Sequence, residues 1–374
     1  MIAFSLAGFY YFYFSLIAVH VIFFPKVLNL LGYSAIELSI IMAASPLVRF
    51  IAPYLFLKYI NLNRKVFFNA LILTVISAIA VYWTIDHFWL LFIVAVILGF
   101  GLSLVLPYVE LIALEKIAKE NYGKVRLYGS VGFIVVSLIL VRFLDNPYNA
   151  IHFLVAVSSF LAIFGIIILA VIKQEVGEPS HEELKDLKKF KLSAHTYLWI
   201  SLFLMQLAFM PFYNFFLIYE TAAGLSAQTT IYLWSFGVLF EIGMLYFQGP
   251  LFHKFKLIDL LIFTTGITVV RWLIIFFFND NLMLLYLSQA LHAFSFGLYH
   301  SAAVRYLFTI YPQKKLAQQF FFGISYGLGA FIGSIFAGII YEYNPDLIYL
   351  YASIMTLFAT IFLVKERQSH KVMH

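Results

Sequence analysis

The chain is 374 residues long, 63% hydrophobic and 20% aromatic, with 11% charged residues and a formal net charge of +6. A water-soluble fold normally carries about a quarter of its residues as charges, so this composition belongs to an integral membrane protein. The positive balance is not the footprint of a nucleic-acid partner: eighteen of the 24 Lys and Arg fall in alternate short loops and the C-terminal tail.

That asymmetry places those loops, and both termini, in the cytoplasm. The opposite loops hold mostly acids: Asp86, Asp145, Glu220, Asp280, Glu342 and Asp346. The sequence contains no cysteine, which excludes disulfides, thiolate metal sites and cysteine nucleophiles. The N-terminus has no basic n-region and no small-residue cleavage site, so its first apolar run is expected to stay as a helix.

In chain order, apolar runs long enough to span a bilayer occur at about 3–28, 35–59, 66–85, 88–114, 124–144 and 149–172. A second set follows at about 196–219, 227–250, 257–278, 282–311, 316–341 and 346–364. The expected fold is an all-α membrane protein of twelve transmembrane helices. Residues 1–172 form an N-terminal six-helix bundle, 173–195 a cytoplasmic linker, and 196–374 a C-terminal bundle with a short tail. Within the linker, Ser180 with Glu183 makes a capping-box pattern, and Leu184, Leu187 and Phe190 give a short apolar stripe; a surface helix and a solvated charged linker fit equally.

The halves echo each other. Gly-Tyr-Ser-Ala at 32–35 begins the second run, and Gly-Leu-Ser-Ala at 224–227 begins the eighth, at an offset at which Arg49 matches Glu241 and Arg64 matches Lys256. Arg-Leu-Tyr-Gly-Ser-Val-Gly-Phe (126–133) is similar to Phe-Phe-Phe-Gly-Ile-Ser-Tyr-Gly (320–327) in its glycines and aromatics. Parallel repeats of this kind place a transport site near the bilayer midplane. Arg49 and Glu241 are therefore expected at pseudo-symmetric positions lining one central cavity.

Ionisable residues inside apolar runs are costly and usually functional, facing a partner or a water-filled cavity. The set here is Arg49, Glu110, Arg126, Glu241, Arg271, His292, His300 and Arg305. Glu110 and Arg126 lie on either side of a turn centred near Ala118. Antiparallel helices would bring them to one depth, about 12 Å inside the turn. Gly123, Gly129 and Gly132 would let this helix approach its neighbours closely.

Phe133 is two turns from Arg126 on the same face. His292 and His300, eight residues apart, fall about 80° off a common face of a regular helix. Arg305 is near a helix end, where snorkelling is as good an account as function. His20, His87 and His152 carry no functional signal, and the glycines at 329 and 333 are explained by close packing. Phosphate loops, zinc-protease and nucleophile-elbow motifs do not occur, so the residues call for no cofactor and no metal.

The twelve-run, two-half pattern resembles the major facilitator superfamily over essentially the whole chain. Tyr-Gly-Lys-Val-Arg-Leu-Tyr-Gly-Ser-Val-Gly-Phe (122–133) is similar to the fifth-helix motif shared by phenylpropionate transporters and the lactose-permease group. So are Pro107 with Glu110, Gly-Val-Leu-Phe-Glu (237–241), Val-Val-Arg-Trp (269–272), Leu-His-Ala-Phe (291–294) and Ala-Val-Arg-Tyr (303–306).

The resemblance implies that Glu110 and Arg126 are the binding-site charge pair of the first half. Glu241 would be a substrate-contacting acid, with Arg271 and His292 in a proton-coupling cluster. Phe133 takes the place of a tryptophan that stacks on sugars in the sugar permeases. Two departures favour the phenylpropionate branch over the sugar branch. Ser295 replaces the acid three residues after the tenth-helix histidine, and the loop signature between the second and third helices is degenerate as Lys-Tyr-Ile-Asn-Leu-Asn-Arg-Lys (58–65).

The expected function is proton-coupled uptake of a small organic solute, an aromatic or other apolar monocarboxylate, across a bacterial inner membrane by alternating access. Substrate contacts are expected from Glu110, Arg126, Phe133, Glu241 and Arg49, and proton coupling from Glu110, Glu241, Arg271 and His292. The expected partners are the solute, protons and the lipid bilayer, and the chain is expected to work as a monomer. A sugar or nucleoside proton symporter is the alternative within transport; a membrane-embedded enzyme or a sensor is the alternative from another class.

Overall fold

In the computed structural model, residues 1–58, 62–172 and 190–371 are described. Among these residues all regular structure is helical, and twelve helices are long and apolar enough to cross a bilayer. In the first half they are α1 (Ile2–Leu30), α2 (Ala35–Leu55), α3 (Arg64–Thr84), α4 (Phe88–Lys116), α5 (Asn121–Phe143) and α6 (Tyr148–Val171). The second half holds α7 (Leu192–Ala222), α8 (Ala227–Phe247), α9 (Leu257–Phe277), α10 (Leu282–Ile310), α11 (Lys314–Tyr343) and α12 (Pro345–Ser369). The chain divides into two compact units, Met1–Ser180 and His181–His374. Most of the polar segment between them, with the Ser180–Glu183 pattern and Leu184 and Leu187, lies outside the described residues.

Helix starts follow the capping residues. The Ser34 hydroxyl accepts from the Glu37 backbone N–H, and the Ser34 N–H donates to the Glu37 carboxylate, closing a capping box on α2. Ser226 caps α8, while Asn63 and Asn281 cap α3 and α10. Gly32 and Gly224, each two residues before its serine, adopt φ of +88° and +101°, a region that side-chain-bearing residues avoid. The Gly-x-Ser-Ala echo is thus one physical device used twice: a left-handed glycine ends one helix and a serine caps the next.

The two units are internally alike. In the first, α1 packs on α5 and α6, α3 on α4 and α6, and α2 on α4; in the second, α7 packs on α11 and α12, α9 on α10 and α12, and α8 on α10. The closest approaches correspond as well. A methyl at Gly132 of α5 would collide with the Tyr11 carbonyl of α1, and one at Gly329 of α11 would lie 2.6 Å from the Phe203 carbonyl of α7. Gly123, by contrast, has open space around it, so it does not serve close packing as the sequence suggested.

Among the described residues, three helices contain π-helical turns. These occur at Val19–Phe23 in α1, Ala293–Leu298 in α10 and Phe322–Gly329 in α11. In α1 the turn precedes Pro25, which cannot donate to the ladder. In α10 the turn inserts the equivalent of one residue, which reduces the 80° offset between His292 and His300 to about 20°. The two histidines accordingly flank Phe296: His292 stacks on its ring at 5.3 Å and 4°, and His300 at 6.3 Å and 22°.

Loop and end contacts finish each unit. Arg64 donates to the carbonyls of Leu169 and Ile172, capping the C-terminal end of α6. In the second unit, Trp199 Nε1 donates to the Tyr311 hydroxyl at 2.9 Å, and that hydroxyl donates to the Lys191 carbonyl at 3.2 Å. His195 meets the buried Glu366 at 2.6 Å, fixing the start of α7 against α12. Three expected loop acids fall within helix bounds: Glu342 in the last turn of α11, Asp346 in the first turn of α12, and Glu220 inside α7, where it is fully buried because the helix continues to Ala222.

Candidate functional site

Each unit contains one cluster of membrane-embedded charges. In the first, Glu110 on α4 and Arg126 on α5 come together as the turn geometry requires, with Arg126 Nε 3.3 Å from Glu110 Oε1. Glu110 also accepts a 2.5 Å hydrogen bond on Oε2 from the Tyr122 hydroxyl, one turn before Arg126. Both carboxylate oxygens are therefore engaged, one by a cation and one by a phenol. The guanidinium lies 4.1 Å from the centre of the Phe14 ring and 5.1 Å from that of Tyr10, both on α1. Its charge is thus shared between a carboxylate and two aromatic faces.

The side chains of Arg126 and Glu110 retain 32% and 25% exposure, so the pair is reachable rather than sealed in the core. Arg49, on α2, is half-buried and makes no ion pair among the described residues. It joins the cluster through Tyr13, which is within electrostatic reach of Arg49, Arg126 and Glu110. His20, buried in the π turn of α1, also lies in the field of Arg49. Phe133 is half-buried, two turns along α5, and stacks on no described ring. The rings over Arg126 come from α1 instead.

In the second unit Arg271 of α9 is fully buried, and its polar partners are neutral. Nη1 donates to His292 Nδ1 at 2.9 Å and to Ser295 Oγ at 3.2 Å, and Nη2 donates to Gln289 Oε1 at 3.2 Å, all on α10. The rings of Phe212 and Trp272 lie 4.5 Å from the guanidinium carbon. An arginine always donates, so His292 Nδ1 must be the acceptor and the ring hydrogen sits on Nε2. Nε2 faces Glu241 Oε2 of α8 at 3.3 Å.

The imidazole is therefore a neutral bridge between a cation and a carboxylate. Ser295, at the position of the departure noted in the sequence, supplies a hydroxyl acceptor for Arg271, so the departure is absorbed into the arginine's hydrogen bonds. Arg305 is exposed, with its guanidinium 4.2 Å from the centre of the Phe252 ring, the geometry of a snorkelling side chain. His300 donates to or accepts from the Tyr326 hydroxyl at 2.8 Å, tying α10 to α11.

The sequence reading missed Tyr122, Tyr10 and Phe14 in the first cluster, and Gln289, Phe212 and Trp272 in the second. Tyr122 had a signal: it is four residues before Arg126 on the same helical face. Gln289 is likewise near His292 on α10, one turn earlier. The aromatic residues carried no signal in a chain where one residue in five is aromatic.

Residues 3–351 match the model of the MFS_1-like family. The chain is 28% identical over 348 residues to a "Probable 3-phenylpropionic acid transporter" of Escherichia coli, covering 89% of this chain and 90% of that one. It is 24% identical to the maltose permease of Geobacillus stearothermophilus, over 87% of this chain and 84% of the permease. Its fold is similar to that of the nucleoside transporter NupG, with a TM-score of 0.82 at 14% identity, covering 97% of this chain and 98% of that one. The chain belongs to the MFS_1-like family and is a multi-pass membrane transporter of the major facilitator type, not an enzyme.

Proposed function

We propose that the chain is a proton-coupled importer of a small aromatic or otherwise apolar monocarboxylate. The observation that carries this reading is the charge balance of the first cluster. Arg126 pairs with Glu110, which is already engaged on both oxygens, while Arg49 of the same unit makes no ion pair among the described residues and reaches the cluster only through its field at Tyr13. One positive charge is left over, and an entering carboxylate would neutralise it through bidentate hydrogen bonds to a guanidinium. Phe14 and Phe133, both half-buried, are the rings available to an apolar substrate body, whereas Tyr10 is fully buried behind the guanidinium. The printed name of the Escherichia coli relative, a 3-phenylpropionic acid transporter, supports the same solute class.

In this proposal the second cluster handles the proton. The two carboxylates have different partners: Glu110 accepts from the Arg126 guanidinium and the Tyr122 phenol, whereas Glu241 accepts from a neutral imidazole. With no cation beside it among the described residues, Glu241 is the carboxylate assigned to the proton in this proposal. Protonating it weakens its attraction for His292 Nε2–H and loosens one end of the bridge to Arg271, so proton binding would alter the packing of α8 against α10. The localisation proposed is the cytoplasmic membrane of a bacterium, with both termini inside and a monomer as the working unit.

A neutral-solute reading is favoured by the maltose permease and nucleoside transporter similarities. Radiolabelled 3-phenylpropionate, a lactoside and a nucleoside should be compared in proteoliposomes under an imposed pH gradient. The proposal expects accumulation of the aromatic acid, abolished by Arg126→Ala. Accumulation of lactoside or nucleoside that aromatic acids do not compete, and that Arg126→Ala leaves intact, would replace it with a neutral-solute symporter.

A further inference from the structure

Glu220 is used by neither cluster. It lies two residues before the end of α7, is fully buried, and neither of its carboxylate oxygens has a hydrogen-bond partner. Among the described residues no ion pair reaches it either. An ionised carboxylate with no cation and no donor is not tolerated in such surroundings, and binding a proton removes the charge.

Its neighbourhood is phenolic rather than cationic. The adjacent Tyr219 accepts a hydrogen bond from Asn279 Nδ2 at 3.2 Å and sets its ring edge-on to Tyr349 of α12 at 5.0 Å. Tyr349 is fully buried, its hydroxyl has no partner, and it is within electrostatic reach of both Glu220 and Arg271. Its ring lies 6.0 Å from that of Trp272, which covers Arg271. Three further acids, Asp280, Glu342 and Asp346, lie at this end, and the field of Asp346 reaches Tyr219 and Tyr341.

These groups are also ordered in depth. The end of α7, the start of α8, the end of α9 and the starts of α10 and α12 share one side of the unit, because successive spans alternate in direction. Measured from that side at 1.5 Å per residue, Glu220 is about 3 Å deep, Tyr349 about 6 Å, Arg271 about 9 Å, His292 about 15 Å and Glu241 about 21 Å. Five polar groups on five helices thus descend from one end of the bundle to the Glu241 carboxylate.

We propose that Glu220 is a second proton-binding site of the C-terminal unit, at the outer end of a row that runs through Tyr349 to the Arg271–His292–Glu241 network. The site does not depend on Glu241 being the coupling carboxylate. Infrared spectroscopy of the purified full-length protein in lipid nanodiscs, in H2O and D2O, tests it.

At neutral pH the wild type should show a carboxylic-acid C=O band that shifts in D2O, is lost in Glu220→Gln, and persists in Glu241→Gln and Glu110→Gln. Glu220→Gln should keep its thermal midpoint, because glutamine is a neutral isostere of the protonated acid. Tyr349→Phe should retain the band but move its frequency. A wild-type spectrum in which Glu220→Gln removes no such band, or a large loss of thermal stability in that variant, would overturn the proton site. An unmoved band in Tyr349→Phe would remove the link to the inner network.

Discussion

Glu110 and Glu241 are both embedded carboxylates, yet their partners give them different chemistry. Glu110 accepts from a guanidinium and a phenol, and hydrogen bonds to a charged group contribute about 1.5–3 kcal/mol each. Tyr122→Phe should therefore weaken substrate binding by about tenfold, if the Glu110–Arg126 geometry it holds is what the solute meets. Isothermal titration with the transported solute would measure this, and unchanged affinity would detach Tyr122 from the site. Glu241→Gln should abolish pH-driven accumulation while counterflow exchange survives; accumulation that persists in both Glu241→Gln and Glu110→Gln would place the proton elsewhere. The ionisable members of both clusters were legible in the sequence, because a charge inside an apolar run is conspicuous. The bridging tautomer of His292 was not, because it depends on which nitrogen faces Arg271.

At the level of elements, helix starts and close contacts were legible where they rest on local chemistry. Ser34 and Ser226 announce caps, and Gly132 and Gly329 mark where backbones meet. Gly123 shows the limit of such reading, since spacing alone does not reveal which face meets a neighbour. Gly132→Leu should destabilise the first unit by about 1–3 kcal/mol or more, because the Tyr11 backbone cannot retreat. Gly123→Ala should be neutral or slightly stabilising through helix propensity. A fluorescence-detected thermal melt of both variants checks the pair, and equal losses would contradict the packing. The π turns were not legible, apart from the Pro25 that follows the one in α1, and they move residues onto faces that a regular 100° rotation does not give them.

For the whole molecule, the duplication read from a four-residue echo and an eight-residue similarity extends to matching helix pairs and matching close approaches in the two units. The membrane class followed from composition alone, and the family from motifs in matching order. Solute identity is less legible, because charge balance and ring supply specify a chemical class rather than a compound. The central claim is that the cluster of Arg49, Glu110 and Arg126 selects an apolar carboxylate and that the transport is proton-driven. The most direct test is uptake of labelled 3-phenylpropionate into proteoliposomes under an imposed inward proton gradient, with Arg126→Ala and Glu241→Gln assayed beside the wild type. Uphill uptake should occur in the wild type, fail in both variants, and survive only as exchange in Glu241→Gln. Uptake that is indifferent to the gradient, or unchanged by Arg126→Ala, would contradict the account.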